Sequence, residues 1–145
     1  MTANIIIGID PGVNTGMAVK DLRTGQYTSV CSCMIHEAML SVLDAKEHIE
    51  LFIIIEDARQ RTWFGNTGKE RAQGVGSIKR DCKIWEDFLT DNNIPFKMVK
   101  PSSGTTKWSL KTWQVSTGYK GKTNAHGRDA AILIHGINER NLKLI

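Results

Sequence analysis

Two short apolar runs, each ending in acidic residues, constrain the fold of this chain more than any other feature. The run NIIIGI over residues 4–9 leads directly into Asp10, and LFIIIED over residues 51–57 ends on Glu56 and Asp57. Continuous β-branched runs without polar alternation are typical of strands that are buried on both faces. The sequence therefore predicts two central strands of a covered sheet, with carboxylates where these strands end.

The rest of the chain alternates between strand and helix patterns. Two further strand-like runs flank the turn Arg23-Thr24-Gly25 and predict a hairpin, which extends the first strand into an antiparallel meander. Because strands precede and then alternate with helices, we expect one α/β domain over residues 1–145, a five-stranded mixed sheet flanked by helices. The predicted strands span residues 4–9, 17–21, 26–33, 51–57 and 94–99, and the predicted helices span residues 37–50, 70–92, about 106–115 and 124–138.

The long helix predicted over residues 70–92 has a one-sided apolar pattern. Spacings of three, four and seven residues place its apolar side chains on one side, which we expect to face the sheet. These side chains are Val75, Ile78, Cys82, Trp85 and Leu89.

Charge is distributed unevenly along the chain, whose formal net charge is +4. Residues 1–57 carry three Lys and Arg against eight Asp and Glu, a net charge of −5, whereas residues 58–145 carry sixteen against seven, a net charge of +9. A polyanion can dock on the basic second half while acidic groups of the first half supply the site. Ordinary surface charge remains the alternative interpretation.

The cysteines and the absence of membrane-length apolar runs favour a cytoplasmic protein. Cys31, Cys33 and Cys82 cannot pair completely, and we expect buried, reduced thiols. The opening IIIGID is too short for a secretory signal and has no basic segment before it. We therefore expect neither a membrane anchor nor a membrane partner.

Four residues are candidates for a metal site: Asp10, Glu56, His126 and Asp129. An acid at a strand end or early in a helix is ordinary by itself, and His126 alone fits a surface position at a helix start. Together, two strand ends and one helix face can converge at one edge of the sheet. Clustered carboxylates repel one another unless a cation binds, and an oxygen-rich site suits Mg²⁺, with Mn²⁺ as the alternative.

Five motifs, in this order, resemble those of the RuvC-type Holliday-junction resolvases of the ribonuclease H-like superfamily. They are IIIGIDPGVNTGMAV, IIIEDA, ERAQGVG, MVKPSSGT and NAHGRDAAILIHG, and they span nearly the whole chain. GIDPG also opens actin-like sugar kinases and ATPases, but these need a far longer chain to enclose a nucleotide. The chain is slightly shorter than typical cellular resolvases, which favours a phage or another mobile element as its source and the host cytoplasm as its compartment.

The resemblance implies a crossover junction endodeoxyribonuclease that acts in DNA recombination and repair. Such an enzyme makes paired nicks in four-way and other branched DNA, leaves 5′-phosphate and 3′-hydroxyl ends, and acts as a homodimer through its long helix. By the same resemblance, Asp10 bridges two Mg²⁺ ions in each active site, Glu56 binds one ion and Asp129 the other, and His126 takes the fourth position. Asp57 has no clear family role and is interpreted as a satellite carboxylate.

The loop after the second acidic strand departs from the family pattern. The family places an aromatic residue soon after the catalytic Glu, whereas Trp63 and Phe64 come seven and eight residues after Glu56. We expect them to stack on an unpaired base at the junction, with the alternative that they fold back onto the protein. The loop and its ends also supply the candidate DNA-binding residues Arg59, Arg61 and Lys69.

A basic, aromatic segment precedes the last helix and predicts a second DNA-binding surface. Its lysines are interleaved with Trp108, Trp113 and Tyr119, a mixture that suits phosphate contacts and stacking. The alternative is a short amphipathic helix with its tryptophans packed inward. The candidate DNA-binding residues are Lys100, Lys107, Lys111, Lys120 and Lys122, together with Lys79 and Arg80 on the long helix.

Other functions remain open on the same residues. A metal site of this kind also serves ribonuclease H and flap-cutting nucleases, because the motifs do not define the substrate. A non-catalytic binder of branched DNA and a transposase-like fragment are further alternatives. The first requires no metal, and the second normally requires additional DNA-binding domains.

Overall fold

The structure is a computed structural model that describes residues 3–60, 69–101 and 108–144, without the side chains of residues 69–75 and 144. All predicted strands and helices are present within these ranges, with their ends shifted by a few residues. In chain order they are β1 (Ile5–Asp10), β2 (Asn14–Asp21), β3 (Tyr27–Met34), α1 (Ile35–His48), β4 (Leu51–Glu56), α2 (Lys69–Asp91), β5 (Phe96–Val99), α3 (Leu110–Thr117) and α4 (Ala125–Ile134), with short 3₁₀ turns at Ala58–Gln60 and Leu142–Leu144.

The five strands form one mixed sheet in the order β3-β2-β1-β4-β5. β1, β2 and β3 are an antiparallel meander, and β4 and β5 are parallel to β1 and to each other. The predicted α/β class with a five-stranded mixed sheet flanked by helices is therefore confirmed, and the arrangement is consistent with a ribonuclease H-like fold.

Each face of the sheet is covered by its own hydrophobic core. Alternate residues of the central strands, such as Ile6 and Ile54, pack under α4 and Trp113 of α3. Their neighbours, such as Ile7 and Ile55, pack against α1 and α2. This two-sided burial explains the uninterrupted apolar runs, because every position of a doubly covered strand faces a core.

The prediction for the buried side of α2 is correct for three residues and wrong for one. Cys82, Trp85 and Leu89 are fully buried, but Ile78 is 43% exposed, and Val75 lies outside the described side chains. Residues 76–80 are all exposed, whereas Asp81 and Cys82 are buried, so among the described side chains of α2 the buried ones begin at Asp81. The row of apolar side chains on α2 thus extends to Ile78, beyond the residues that pack against the sheet.

The expectation that all three thiols are buried is also only partly correct. All three cysteines are unpaired, and Cys82 is buried under the sheet. Cys31 and Cys33 are half-exposed, because they lie on β3, the edge strand of the sheet. Within the described ranges, no helix has the length and apolar character needed to cross a membrane.

Three glycines let α4 lie unusually close to the sheet. A Cβ atom on Gly8 would lie 2.2 Å from the carbonyl oxygen of Ala130, and one on Gly16 would lie 2.1 Å from that of His126. On the helix side, a Cβ atom on Gly127 would lie 2.8 Å from the backbone nitrogen of Cys31. Any larger residue at these positions would force α4 away from β1, β2 and β3.

Candidate active site

Asp10 and Glu56 lie at the ends of neighbouring parallel strands and on the same face of the sheet. The register pairs Ile9 of β1 with Ile55 of β4, so the two acids follow in adjacent positions. Side chains alternate along a strand, and Gly8 and Ile54, two residues earlier, face α4. Both carboxylates therefore belong to the α4 face, and both residues are half-buried.

The N-terminus of α4 is held over these strand ends by its cap. The Oδ1 atom of Asn124 accepts a hydrogen bond of 2.8 Å from the backbone nitrogen of Gly127, and its Nδ2 atom donates one of 2.7 Å to Ser32 of β3. Such a cap satisfies a helix N–H group and here also ties the helix start to the sheet edge. The first turn of α4 is thus anchored at one end by Asn124 and packed against Gly16.

This anchoring brings His126 to Asp10. The Nδ1 atom of His126 lies 3.9 Å from the Oδ2 atom of Asp10, and the His126 side chain is 54% exposed. Asp129 follows one helical turn later and is half-buried. His126 therefore lies beside Asp10, in a contact that is an ion pair only when the imidazole is protonated. Glu56 joins the candidate site through its strand position and Asp129 through its helix position.

The donor types of this site fit a hard divalent cation. Three carboxylates and one imidazole are the ligand chemistry of Mg²⁺ or Mn²⁺ sites. In their present conformations, no three His, Cys, Asp or Glu side chains within the described ranges form a group compact enough to hold a metal ion. A metal ion bound here would require Glu56 and Asp129 to approach Asp10 and His126 more closely than they do in the structure.

Asp57 does not lie beside the candidate metal site, contrary to the satellite interpretation. It is 5% exposed and faces α2, on the opposite side of the sheet from Asp10 and Glu56. Its carboxylate accepts hydrogen bonds from Arg59 at 2.7 and 3.0 Å. Burial raises the pKa of Asp57, but the hydrogen bonds from Arg59 and Gln60 outweigh burial, so that the pKa lies below its usual value.

The structure gives the candidate DNA-binding residues different surroundings. The Arg59 guanidinium is paired with both Asp57 and Glu86. Arg61, Trp63, Phe64 and Lys107 lie outside the described residues, as does the side chain of Lys69. The remaining candidates are exposed on α2, on α3 or in the segments beside β5 and α4: Lys79, Arg80, Lys100, Lys111, Lys120 and Lys122.

The aromatic residues before α4 are packed mainly inward. Trp113 is fully buried, with its ring 4.8 Å from that of Tyr27 and 6.0 Å from that of Tyr119. Trp108 is half-buried and lies 4.8 Å from the ring of His135. The amphipathic alternative is therefore correct for Trp113, which is not accessible for stacking on a base.

Two residues that support the site were not identified from the sequence. Lys20 of β2 is 3% exposed and donates hydrogen bonds of 2.7 and 3.0 Å to the carbonyl oxygens of Ile134 and His135, at the C-terminus of α4. Glu86 of α2 binds Arg59. A lysine within the apolar pattern of a strand was a signal for the first, but no local pattern indicated the second.

No protein-family model matches the chain, and no curated protein matches it. Residue chemistry and site geometry, together with the motif resemblance, therefore carry the functional proposal.

Proposed function

We propose that the protein is a metal-dependent endonuclease that cleaves four-way and other branched DNA in the manner of a Holliday-junction resolvase. The observation that carries the proposal is the pair of carboxylates at the ends of adjacent parallel strands, under a helix whose first turns bear a histidine and a third carboxylate. The catalytic and metal-binding residues in this proposal are Asp10, Glu56, His126 and Asp129.

The chemistry proposed is hydrolysis of a phosphodiester bond. Two bound Mg²⁺ or Mn²⁺ ions would supply an activated water and stabilise the leaving 3′-oxygen. The protein's part is to hold carboxylate oxygens in a fixed arrangement, and strand ends in a five-stranded sheet are rigid supports for it. The imidazole of His126, half-exposed beside Asp10, supplies the nitrogen donor that a site of acids alone would lack.

The distribution of charge supports DNA as the substrate. Asp10 and Glu56 lie at neighbouring strand ends, and a polyanion would be repelled there unless cations were bound. The basic residues of the second half offer the compensating attraction, since Lys79, Arg80, Lys111, Lys120 and Lys122 are exposed. We propose that the DNA backbone lies on these residues.

Paired nicks require two active sites related by a two-fold axis, so the proposal includes a homodimer. The exposed apolar side chain of Ile78 on α2 supports this part of the proposal, whereas Lys79 and Arg80 lie on other sides of the helix, about 100° and 200° around its axis. Burial of this side chain by a second copy would complete the apolar stripe of α2.

The test is cleavage of a labelled four-way junction, compared with the matching linear duplex, a flap and an RNA–DNA hybrid. We expect paired, symmetric nicks on the junction with Mg²⁺ or Mn²⁺ and none with EDTA. Asp10→Asn should abolish cleavage yet retain junction binding, because it removes a ligand while lowering the negative charge of the site. The matched control is Asp44→Asn, which changes an exposed acid on α1 and should cleave normally.

The outcomes separate the alternatives. Cleavage of the hybrid or the flap in preference to the junction would assign the same site to another nuclease of this fold. Metal-independent binding without any cleavage would indicate a structural binder of branched DNA. Normal cleavage by the Asp10→Asn variant would refute the site itself.

A further inference from the structure

We propose that Arg59, together with Asp57 and Glu86, positions Glu56 and the turn over residues 57–60, and that Arg59 does not contact DNA. These three residues form the Arg59 network. The inference rests on the proposed function. It replaces the phosphate contact that the sequence predicts for Arg59.

Almost all N–H groups of the Arg59 guanidinium donate hydrogen bonds to carboxylates of the protein itself. Nε and Nη2 donate to the two carboxylate oxygens of Asp57, at 2.7 and 3.0 Å. Nη1 and Nη2 donate to the two oxygens of Glu86, at 3.3 and 3.1 Å. A guanidinium has five N–H groups, and four of them are thereby engaged in two forked pairs.

The charge around Arg59 also opposes a phosphate contact. One guanidinium lies between two carboxylates, and the neighbouring ammonium of Lys83 pairs with Asp87 at 2.9 Å and lies 3.9 Å from Glu86. Three carboxylates and two cations leave this cluster with a formal charge of −1. A phosphate would have to displace a carboxylate from Arg59 in a region of net negative charge.

The same network holds the backbone immediately after Glu56. The backbone nitrogen of Asp57 donates to the carbonyl oxygen of Val99 on β5, at 2.8 Å. The carboxylate of Asp57 also accepts from the backbone nitrogen of Arg59, at 3.1 Å, and Gln60 donates from its backbone nitrogen to the Asp57 carbonyl oxygen, at 3.0 Å. Residues 57–60 thus form a compact turn that is built around the Asp57 side chain.

The network connects this turn to α2, on the face of the sheet opposite to the candidate site. Glu86 accepts hydrogen bonds from Arg59 of the turn. One helical turn earlier in α2, the Cys82 thiol donates a hydrogen bond of 3.7 Å to the carbonyl oxygen of Glu56. The backbone of Glu56 is therefore contacted from the α2 face of the sheet, while its carboxylate lies on the α4 face. This makes Arg59, Asp57 and Glu86 positioning residues, since they lie away from the reacting atoms.

Two substitutions test the inference: one keeps the charge of Arg59, and the other removes the negative charge of Glu86. Arg59→Lys keeps the positive charge but cannot form two forked pairs, because an ammonium lacks the planar geometry. Glu86→Gln removes a negative charge, which would strengthen DNA binding if charge alone mattered. We expect both variants to lower kcat on the four-way junction by roughly ten- to a hundredfold, as outer-shell substitutions typically do, with the double variant no worse than the single ones.

Junction affinity is the readout that distinguishes positioning from contact. We expect the Kd of both variants, and its dependence on salt, to match wild type. Asp87→Asn is the matched control: it changes the next residue of α2, which pairs with Lys83 but not with Arg59, and should cleave at the wild-type rate. Wild-type cleavage by Arg59→Lys would overturn the inference. So would a salt slope lower by about one in Arg59→Gln, which removes the charge that a phosphate contact would use.

An NMR measurement without DNA keeps the inference separate from the proposed function. The Nε–H group of Arg59 donates to Asp57, so its signal should exchange slowly with water in the wild-type protein and rapidly in Asp57→Ala. Rapid exchange in the wild-type protein would overturn the network. A wild-type protein that cuts no branched substrate would instead refute the proposed function, and the NMR result would then decide the inference alone.

Discussion

Gly16 shows how a single side chain controls the distance between α4 and the sheet. It lies opposite Asp10 in the β1–β2 register, directly beneath the first turn of α4. A Cβ atom there would lie 2.1 Å from the His126 carbonyl oxygen and 3.1 Å from the Cβ atom of Asp10. Both contacts involve members of the candidate site, so this position couples packing to function.

Gly16→Ala should therefore destabilise the protein and slow cleavage. A backbone oxygen cannot move aside alone, so α4 must shift, and overpacking of this kind costs about 1–3 kcal/mol. Urea denaturation and junction cleavage below the melting temperature measure the two effects.

Gly76→Ala is the control for the glycine substitution. A Cβ atom at Gly76 would meet nothing within 4 Å, and the residue lies inside α2. Alanine should raise the free energy of unfolding by about 1 kcal/mol there, because it lowers the entropy cost of helix formation. Equal stability changes in the two variants would contradict the packing assigned to Gly16.

At the scale of the element, α4 is the helix that connects the core to the candidate site. Its N-terminus lies at Asp10, and its C-terminus is bound by Lys20, whose ammonium is also 5.7 Å from the centre of the Tyr27 ring. A cation at a helix C-terminus interacts favourably with the unpaired carbonyl groups of the last turn. The position of α4 along the sheet is therefore held at both ends.

Burial of Lys20 makes the stability of this arrangement depend on pH. Burial lowers the pKa of Lys20 to about 8, below its value of 10.5 in the unfolded chain. Between these values the unfolded state binds more protons than the native state, so this group makes the free energy of unfolding rise with pH, by no more than about 1 kcal/mol per pH unit.

The measurement is urea denaturation from pH 7.5 to 10, with Lys20→Met as the reference. We expect the difference between wild type and variant to increase with pH over this range. Above pH 10 the raised pKa of Tyr27 acts in the opposite direction, because the native state then holds the extra proton. A difference that does not change with pH would contradict the lowered pKa of Lys20.

At the scale of the whole molecule, charge separates into an acidic first part and a basic second part. The net charge is −5 over residues 1–57 and +9 over residues 58–145. The acids at the strand ends belong to the first part, and the exposed lysines around α3 and α4 belong to the second. Attraction of DNA to the second part would place its backbone near the candidate site.

Junction binding should therefore weaken steeply as salt increases. Each phosphate contact that is lost lowers the slope of log K against log salt by about one, so Lys111→Gln and Lys120→Gln should each reduce the slope by that amount. Fluorescence anisotropy at several salt concentrations measures it, and Lys46→Gln on α1 is the control. A slope unchanged by both lysine substitutions would exclude this surface as the binding site.

Much of the fold could be predicted because its strongest signals are local. The runs that became β1 and β4 contain uninterrupted β-branched residues, and the acids that end them were recognised as candidate ligands. The helix start at Asn124 also follows a local rule, since its side chain caps α4. The burial of Ile78 was wrongly predicted, because periodicity identifies a helix face but does not indicate where the surface that covers it ends.

The sequence by itself determined the strands, the helices and the residue types of the candidate site, because periodicity and capping act between near neighbours in the chain. Local alternation along β4 already places Glu56 and Asp57 on opposite faces, whereas only the tertiary structure decided that Arg59 binds Glu86, 27 residues away. That pairing depends on how α2 packs against β4 and β5, which brings distant charges within hydrogen-bonding distance. Long-range contacts of this kind produce no periodic pattern in the sequence, so they can be identified only once the packing of the helices and strands is known.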